Sequence, residues 1–120
     1  MEGLVAGRIV YFVFDTSSAN EVNRRRKDSV SGLTEDNWPR GAMAHVGNEV
    51  RAGDVVPAMV VRVWDQNAGT VNLKVMLDGS DLLWATSVTY AEWSRDAENL
   101  PTPRTWHWMY QGQPTRGSAR

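Results

Sequence analysis

Residues 57–64 read Pro-Ala-Met-Val-Val-Arg-Val-Trp, residues 71–77 read Val-Asn-Leu-Lys-Val-Met-Leu, and residues 82–89 read Leu-Leu-Trp-Ala-Thr-Ser-Val-Thr. In the middle run Val71, Leu73, Val75 and Leu77 fall on one alternation and Asn72, Lys74 and Met76 on the other, the pattern of a strand with one buried face. Residues 65–70, with Asn67 and Gly69, supply a hairpin loop, and Asp78-Gly79-Ser80-Asp81 supplies a tight turn. The three runs predict an antiparallel β-meander.

Working outward, residues 8–14 are β-branched and aromatic on both alternations and predict a strand buried on both faces. Ser18 stands three residues before Glu21, a capping-box spacing, so a helix is expected from Ala19 to about Lys27 or Ser31, ended by Gly32. Its apolar stripe runs Ala19, Val22, Val30, Leu33, and Arg26 falls on that stripe. Residues 37–41 are turn-like around Pro39, residues 42–46 suit a short strand, and residues 111–120 suit a loose tail. The expected fold is α+β: one domain over residues 1–110, with an N-terminal strand and helix packed on an antiparallel meander sheet or partly open barrel.

The chain has 120 residues and a formal net charge of −1. No global basic field exists to gather nucleic acid. There is no cysteine, which removes disulfides, thiolate metal sites and a Cys nucleophile, and mildly favours a reducing compartment. The apolar runs are strand-sized, so no membrane span is expected, and no secretory signal opens the chain. The two histidines, His45 and His107, make an acid–base enzyme disfavoured, and neither they nor the carboxylates have metal-ligand spacing.

Six tryptophans stand out. Arg62 and Trp64 share a face two residues apart, and Asn72 lies across the hairpin. An aromatic platform, an amide and a guanidinium are what a nucleotide pocket needs. Trp84 and Thr86 follow on the third strand, with Ser87 on the opposite alternation. For any one Trp, burial in the core is the commoner explanation. Arg24-Arg25-Arg26-Lys27 is the densest charge in the chain, and its guanidiniums are those of Arg24, Arg25 and Arg26. The helix dipole does not favour cations so near an N-terminus, so they are candidates for gripping an external phosphate. The competing explanation is a solvated face with an ion pair from Glu21 to Arg25. Asn48, beside His45, is a further candidate for ligand contact.

Several blocks carry a resemblance: residues 45–54, 57–64 and 71–81, Trp84-Ala85-Thr86-Ser87, Val22-Asn23-Arg24-Arg25-Arg26 and Thr105-Trp106-His107-Trp108. They resemble a family of small bacteriophage and prophage proteins, similar to the anti-Thoeris sponge proteins. Ser80 departs from the Asn more usual after Asp-Gly, and either suits a turn. The resemblance implies a phage protein in the cytoplasm of an infected bacterium. It would sequester cyclic ADP-ribose isomers or cyclic oligonucleotides without cleaving them, use no cofactor or metal, and assemble as a dimer or hexamer. It assigns Trp64 and Asn72 to the ADP-ribose-type ligand, with Arg51, Arg62 and Arg104 competing for the pocket arginine, and Arg24 to Arg26 to cyclic oligonucleotides.

Other classes stay open. A phage structural or host-inhibiting protein would use the Trp residues as interface anchors. A single-stranded nucleic-acid binder is disfavoured by the net charge. A hydrolase built on His45 would need a constellation the sequence does not assemble.

Overall fold

The computed structural model describes residues 1–31 and 47–109, with the side chains of residues 29–31 left aside. Five strands and one helix follow in the order β1 (Ile9–Val13), α1 (Thr16–Ser31), β2 (Val55–Asp65), β3 (Thr70–Met76), β4 (Leu82–Tyr90) and β5 (Thr105–His107). The expected strand over 42–46, the helix stop at Gly32, Leu33, His45 and the tail lie outside the described residues.

The meander forms as its alternation predicts. Val71, Leu73 and Val75 are fully buried and Leu77 nearly so, while Lys74 is exposed. What the sequence left open was closure. β2 is long enough to serve two neighbours: its first half pairs with β1, Ile9 opposite Met59 and Val13 opposite Val55, and its second half with β3, Ala58 opposite Val75. β5 then pairs antiparallel with β1, Phe12 opposite Trp106, and parallel with β4, Tyr90 opposite Trp106. The sheet is therefore a closed barrel rather than a partly open one, with the short β5 joining Thr89 and Tyr90 of β4 to Tyr11 and Phe12 of β1 at the seam. A parallel neighbour needs a connection of about a dozen residues or more, and residues 91–104 provide it.

The barrel core contains Val10, Phe12, Val60, Leu73, Val75, Val88 and Trp106, and Ala19 and Val22 of α1 join the same cluster. Trp106 is completely buried between Tyr90 and Trp108, both edge-on to it. Its indole N–H donates to the Gly69 carbonyl at 2.7 Å. Gly69 sits at φ 73° in the β2–β3 hairpin, and a Cβ there would press on Tyr90, so this glycine lets the hairpin meet β5.

The helix starts three residues before its expected first residue. Asp15 is the N-cap: its Oδ1 accepts the Ser18 N–H at 3.0 Å, and the Ser18 hydroxyl accepts the Asp15 N–H at 3.3 Å. Ser18 is thus the far member of a capping box that Asp15 opens. Burial pushes the Asp15 carboxyl up, but the Ser18 hydrogen bonds and the Arg104 charge outweigh it and hold the group below its ordinary range. No described helix is long and apolar enough to cross a membrane.

Candidate functional site

Asn72 lies at the centre of the outer face of the meander, yet it is only 7% exposed. The strands on both sides of it are bulged. On β2 the register slips between Val60 and Arg62 and again between Val63 and Asp65, so Val61 and Trp64 are the extra residues. On β4 the slip lies opposite Asn72, between the pairs Val71–Val88 and Leu73–Ala85. A bulge leaves backbone groups unpaired and re-aims side chains. Here one side-chain oxygen collects both consequences. Asn72 Oδ1 accepts the Ser87 backbone N–H at 2.9 Å and the Trp64 indole N–H at 2.8 Å. Two donors on one atom fix which end of the amide is oxygen. Ser87 takes φ 53°, a left-handed conformation that a side chain other than glycine seldom adopts.

The expected trio is therefore assembled, with Ser87 as its fourth member. The Arg62 guanidinium lies over the Trp64 ring, 4.1 Å from its centroid, within cation–π range. Trp64 remains 54% exposed and Trp84 61%, so neither is a core residue. Lys74, directly opposite Trp84 in the register, brings its ammonium to 5.8 Å from that ring. Sequence reasoning missed Lys74 as a site residue. Its place on the Asn72 alternation was the available signal. The bulge also overrides the strict alternation assigned to Thr86 and Ser87: Ala85 and Val88 both point inward, so neither intervening residue enters the core.

The arginine cluster divides. Arg26 is no external phosphate ligand: it is 8% exposed and turned inward. Its Nε and Nη2 form a fork on Asp81 at 2.8 and 2.9 Å, and its Nη1 donates to the Asn48 carbonyl. The Asn48 side-chain amide in turn donates to Asp78. Asn48 thus joins the 78–81 turn to α1 and is spent on the protein itself. Hydrogen bonding and the charge of Arg26 outweigh burial and keep the Asp81 carboxyl below its ordinary range. Arg24 and Arg25 stay exposed, and Arg25 donates to the Leu82 carbonyl at 3.3 Å. Glu21 and Arg25 do not form the anticipated ion pair among the described residues.

Beside Trp84 a cavity of about 130 Å³ opens between α1 and β4, lined by Phe12, Asp15, Ser17, Ser18, Glu21, Leu83, Trp84, Ala85 and Arg104. Arg104 adopts φ 57°, its backbone N–H donates to the Val13 carbonyl at 2.8 Å, and its Nη1 donates to the Thr86 carbonyl at 3.1 Å. Of the competing arginines Arg51, Arg62 and Arg104, Arg62 lies on Trp64, while Arg104 reaches the β4 bulge through the Thr86 carbonyl. No group of metal-ligating side chains occurs among the described residues.

His107 lies inside the fold, between the rings of Tyr11 and Trp93 at 5.6 and 5.5 Å. Burial lowers its pKa from 6.5. The unfolded chain then takes up the proton first, so folding stability is complete above about pH 6.5 and declines as pH falls from there. The thermal midpoint should fall between pH 7 and pH 5, and His107→Leu should flatten that slope. An unchanged slope in the folded variant would assign the titration elsewhere.

Compared with known proteins, the chain matches no family model, no curated protein and no solved structure.

Proposed function

We propose that this protein is a binding protein for cyclic nucleotide signals, which it sequesters intact. The observation that carries the reading is the outer face of the meander, where two exposed indoles each stand with a cation. Arg62 lies over Trp64, and Lys74 approaches Trp84. A flat base gains from the rings and an anionic phosphate from the cations, and such stacking is worth about 1–3 kcal/mol per base. Asn72, whose Oδ1 also accepts the Ser87 N–H, accepts the Trp64 indole N–H and fixes that ring. His107, the described histidine, is buried away from this face. This is the reading the family resemblance implies: a phage protein acting by mass action on cyclic ADP-ribose isomers or cyclic oligonucleotides in the host cytoplasm, as a dimer or hexamer.

The test is calorimetry with cyclic ADP-ribose isomers, cyclic di- and trinucleotides, and linear controls. Tight binding is expected, with unaltered ligand recovered after heating. Trp64→Ala should weaken it about 10-fold or more. The arginine contribution is tested with Arg24→Glu and Arg25→Glu together, leaving Arg26 in place because it holds the fold. Ligand recovered in hydrolysed form would instead mark an enzyme.

A second reading has its own observation. Met59, Val61 and Leu82 are also exposed on this side of the sheet, alternating with the inward residues. An apolar rim around two Trp anchors suits a protein partner, and silence across the nucleotide panel would favour it.

A further inference from the structure

Asn72 is more than nine-tenths buried, yet the protein uses only one end of its amide. Oδ1 is taken by the Trp64 indole N–H and the Ser87 backbone N–H, which fixes Nδ2 as the free end. Nδ2 donates to no group among the described residues and still reaches solvent. Buried polar groups are as a rule hydrogen-bonded, so a donor held in place with its own side open calls for an acceptor from outside. The charged groups around it are donors as well. Arg62 is the cross-strand partner of Asn72, and Lys74 stands two residues along β3 on the same face. Neither cation makes an ion pair among the described residues. Donors without a paired carboxylate suit a ligand that brings only acceptors, and an oxyanion is such a ligand.

The two indoles differ in what they leave open. The Arg62 guanidinium lies over Trp64, 4.1 Å from the ring centre, so that face of the ring is already covered. A guanidinium held over an aromatic ring keeps its N–H donors for an anion. Ser87, Asn72, Trp64 and Arg62 thus form one chain of contacts that ends in a positioned cation. Trp84 is the more exposed indole, and Lys74 approaches it only to 5.8 Å. We propose that Asn72 Nδ2, Arg62 and Lys74 form a phosphate seat, that Trp64 positions Arg62 for it, and that Trp84 carries the base. The proposal rests on the nucleotide-binding reading and deepens it, giving the phosphate and the base of the ligand to separate residues.

Adenosine and its 5′-mono- and diphosphates separate the two parts, because they share a base and differ in phosphate. Titrations of the full chain should show the diphosphate bound about tenfold or more tighter than adenosine. Asn72→Asp keeps an oxygen for the Trp64 and Ser87 N–H groups and puts a second, negatively charged oxygen where the free donor was. It should fold, with a thermal midpoint near that of the wild type, and lose the preference for the diphosphate. Arg62→Gln, at an exposed position, should lose it too and decides the matter if the Asp variant does not fold. Trp84→Ala should weaken all three ligands alike, whereas Trp64→Ala should weaken the diphosphate more than adenosine. A diphosphate bound no tighter than adenosine, or a preference that survives Arg62→Gln and a folded Asn72→Asp, overturns the seat. Equal losses for adenosine and the diphosphate in Trp64→Ala would return the base to Trp64 and overturn the division between the indoles. The two readings fail separately. Cyclic ligands that bind tightly to the wild type and equally to Asn72→Asp and Arg62→Gln leave the sponge and remove the seat. A diphosphate preference that depends on Asn72 and Arg62, without any binding of cyclic ligands, keeps the seat and removes the sponge.

Discussion

Trp106→Ala should cost about 4 kcal/mol and is the most destabilising substitution we expect in the chain. The indole is fully buried, touches two aromatic rings edge-on, and makes a hydrogen bond that joins β5 to the β2–β3 hairpin. Truncation removes the largest buried side chain, leaves a cavity at the seam of the barrel, and orphans the Gly69 carbonyl. A loss of this size is a large share of the stability of a domain of this length, in which about 5–15 kcal/mol is usual. Trp106→Phe keeps most of the packing and loses the N–H, so it should cost less, about 2 kcal/mol. Urea unfolding of both variants gives the comparison, and the Phe variant remains measurable if the Ala variant does not fold. A cost below about 1 kcal/mol for Trp106→Ala would mean that β5 does not close the barrel.

The second large effect is expected at the Arg26–Asp81 pair. Asp81→Ala leaves a guanidinium almost without solvent and without its carboxylate, and removal of one partner of a buried pair costs about 3–5 kcal/mol. The Asp81 side chain is one-third exposed, so the lower end of that range applies. The site tolerates little rearrangement. A Cβ at Gly47 would collide with the Asp78 carbonyl, and one at Gly79 would meet both Arg26 and Asp81. Because the Asp81 pKa is lowered in the fold, its stabilisation is complete above the ordinary carboxylate range, near pH 4, and is lost as pH falls below it. The wild type should therefore lose stability steeply below pH 4, and Asp81→Ala should lose less over that interval. A double-mutant cycle with Arg26→Met isolates the pair. A coupling near zero would make Arg26 an ordinary surface cation and return it to the list of ligand contacts.

The sequence by itself determined the meander. Strict alternation around Val71, Leu73, Val75 and Leu77 admits one register, because a one-residue slip would expose all four. It also brought Arg62, Trp64 and Asn72 onto one face, and it put Arg26 on the buried stripe of α1, even though charge density argued for a ligand there. Burial of that stripe decided against the ligand, because a guanidinium turned inward must find its carboxylate within the protein. Tertiary structure alone decided the rest. A three-residue strand such as β5 carries no periodicity to read, and it exists because Phe12 and Tyr90 pair with Trp106 from either side. The bulges that turn Trp64 onto Asn72 arise where three strands must curve together to close. The cavity between Glu21, Trp84 and Arg104 joins residues from three separate segments. No local pattern encodes such a meeting, because only closure of the barrel brings α1, β4 and the 91–104 connection to one place.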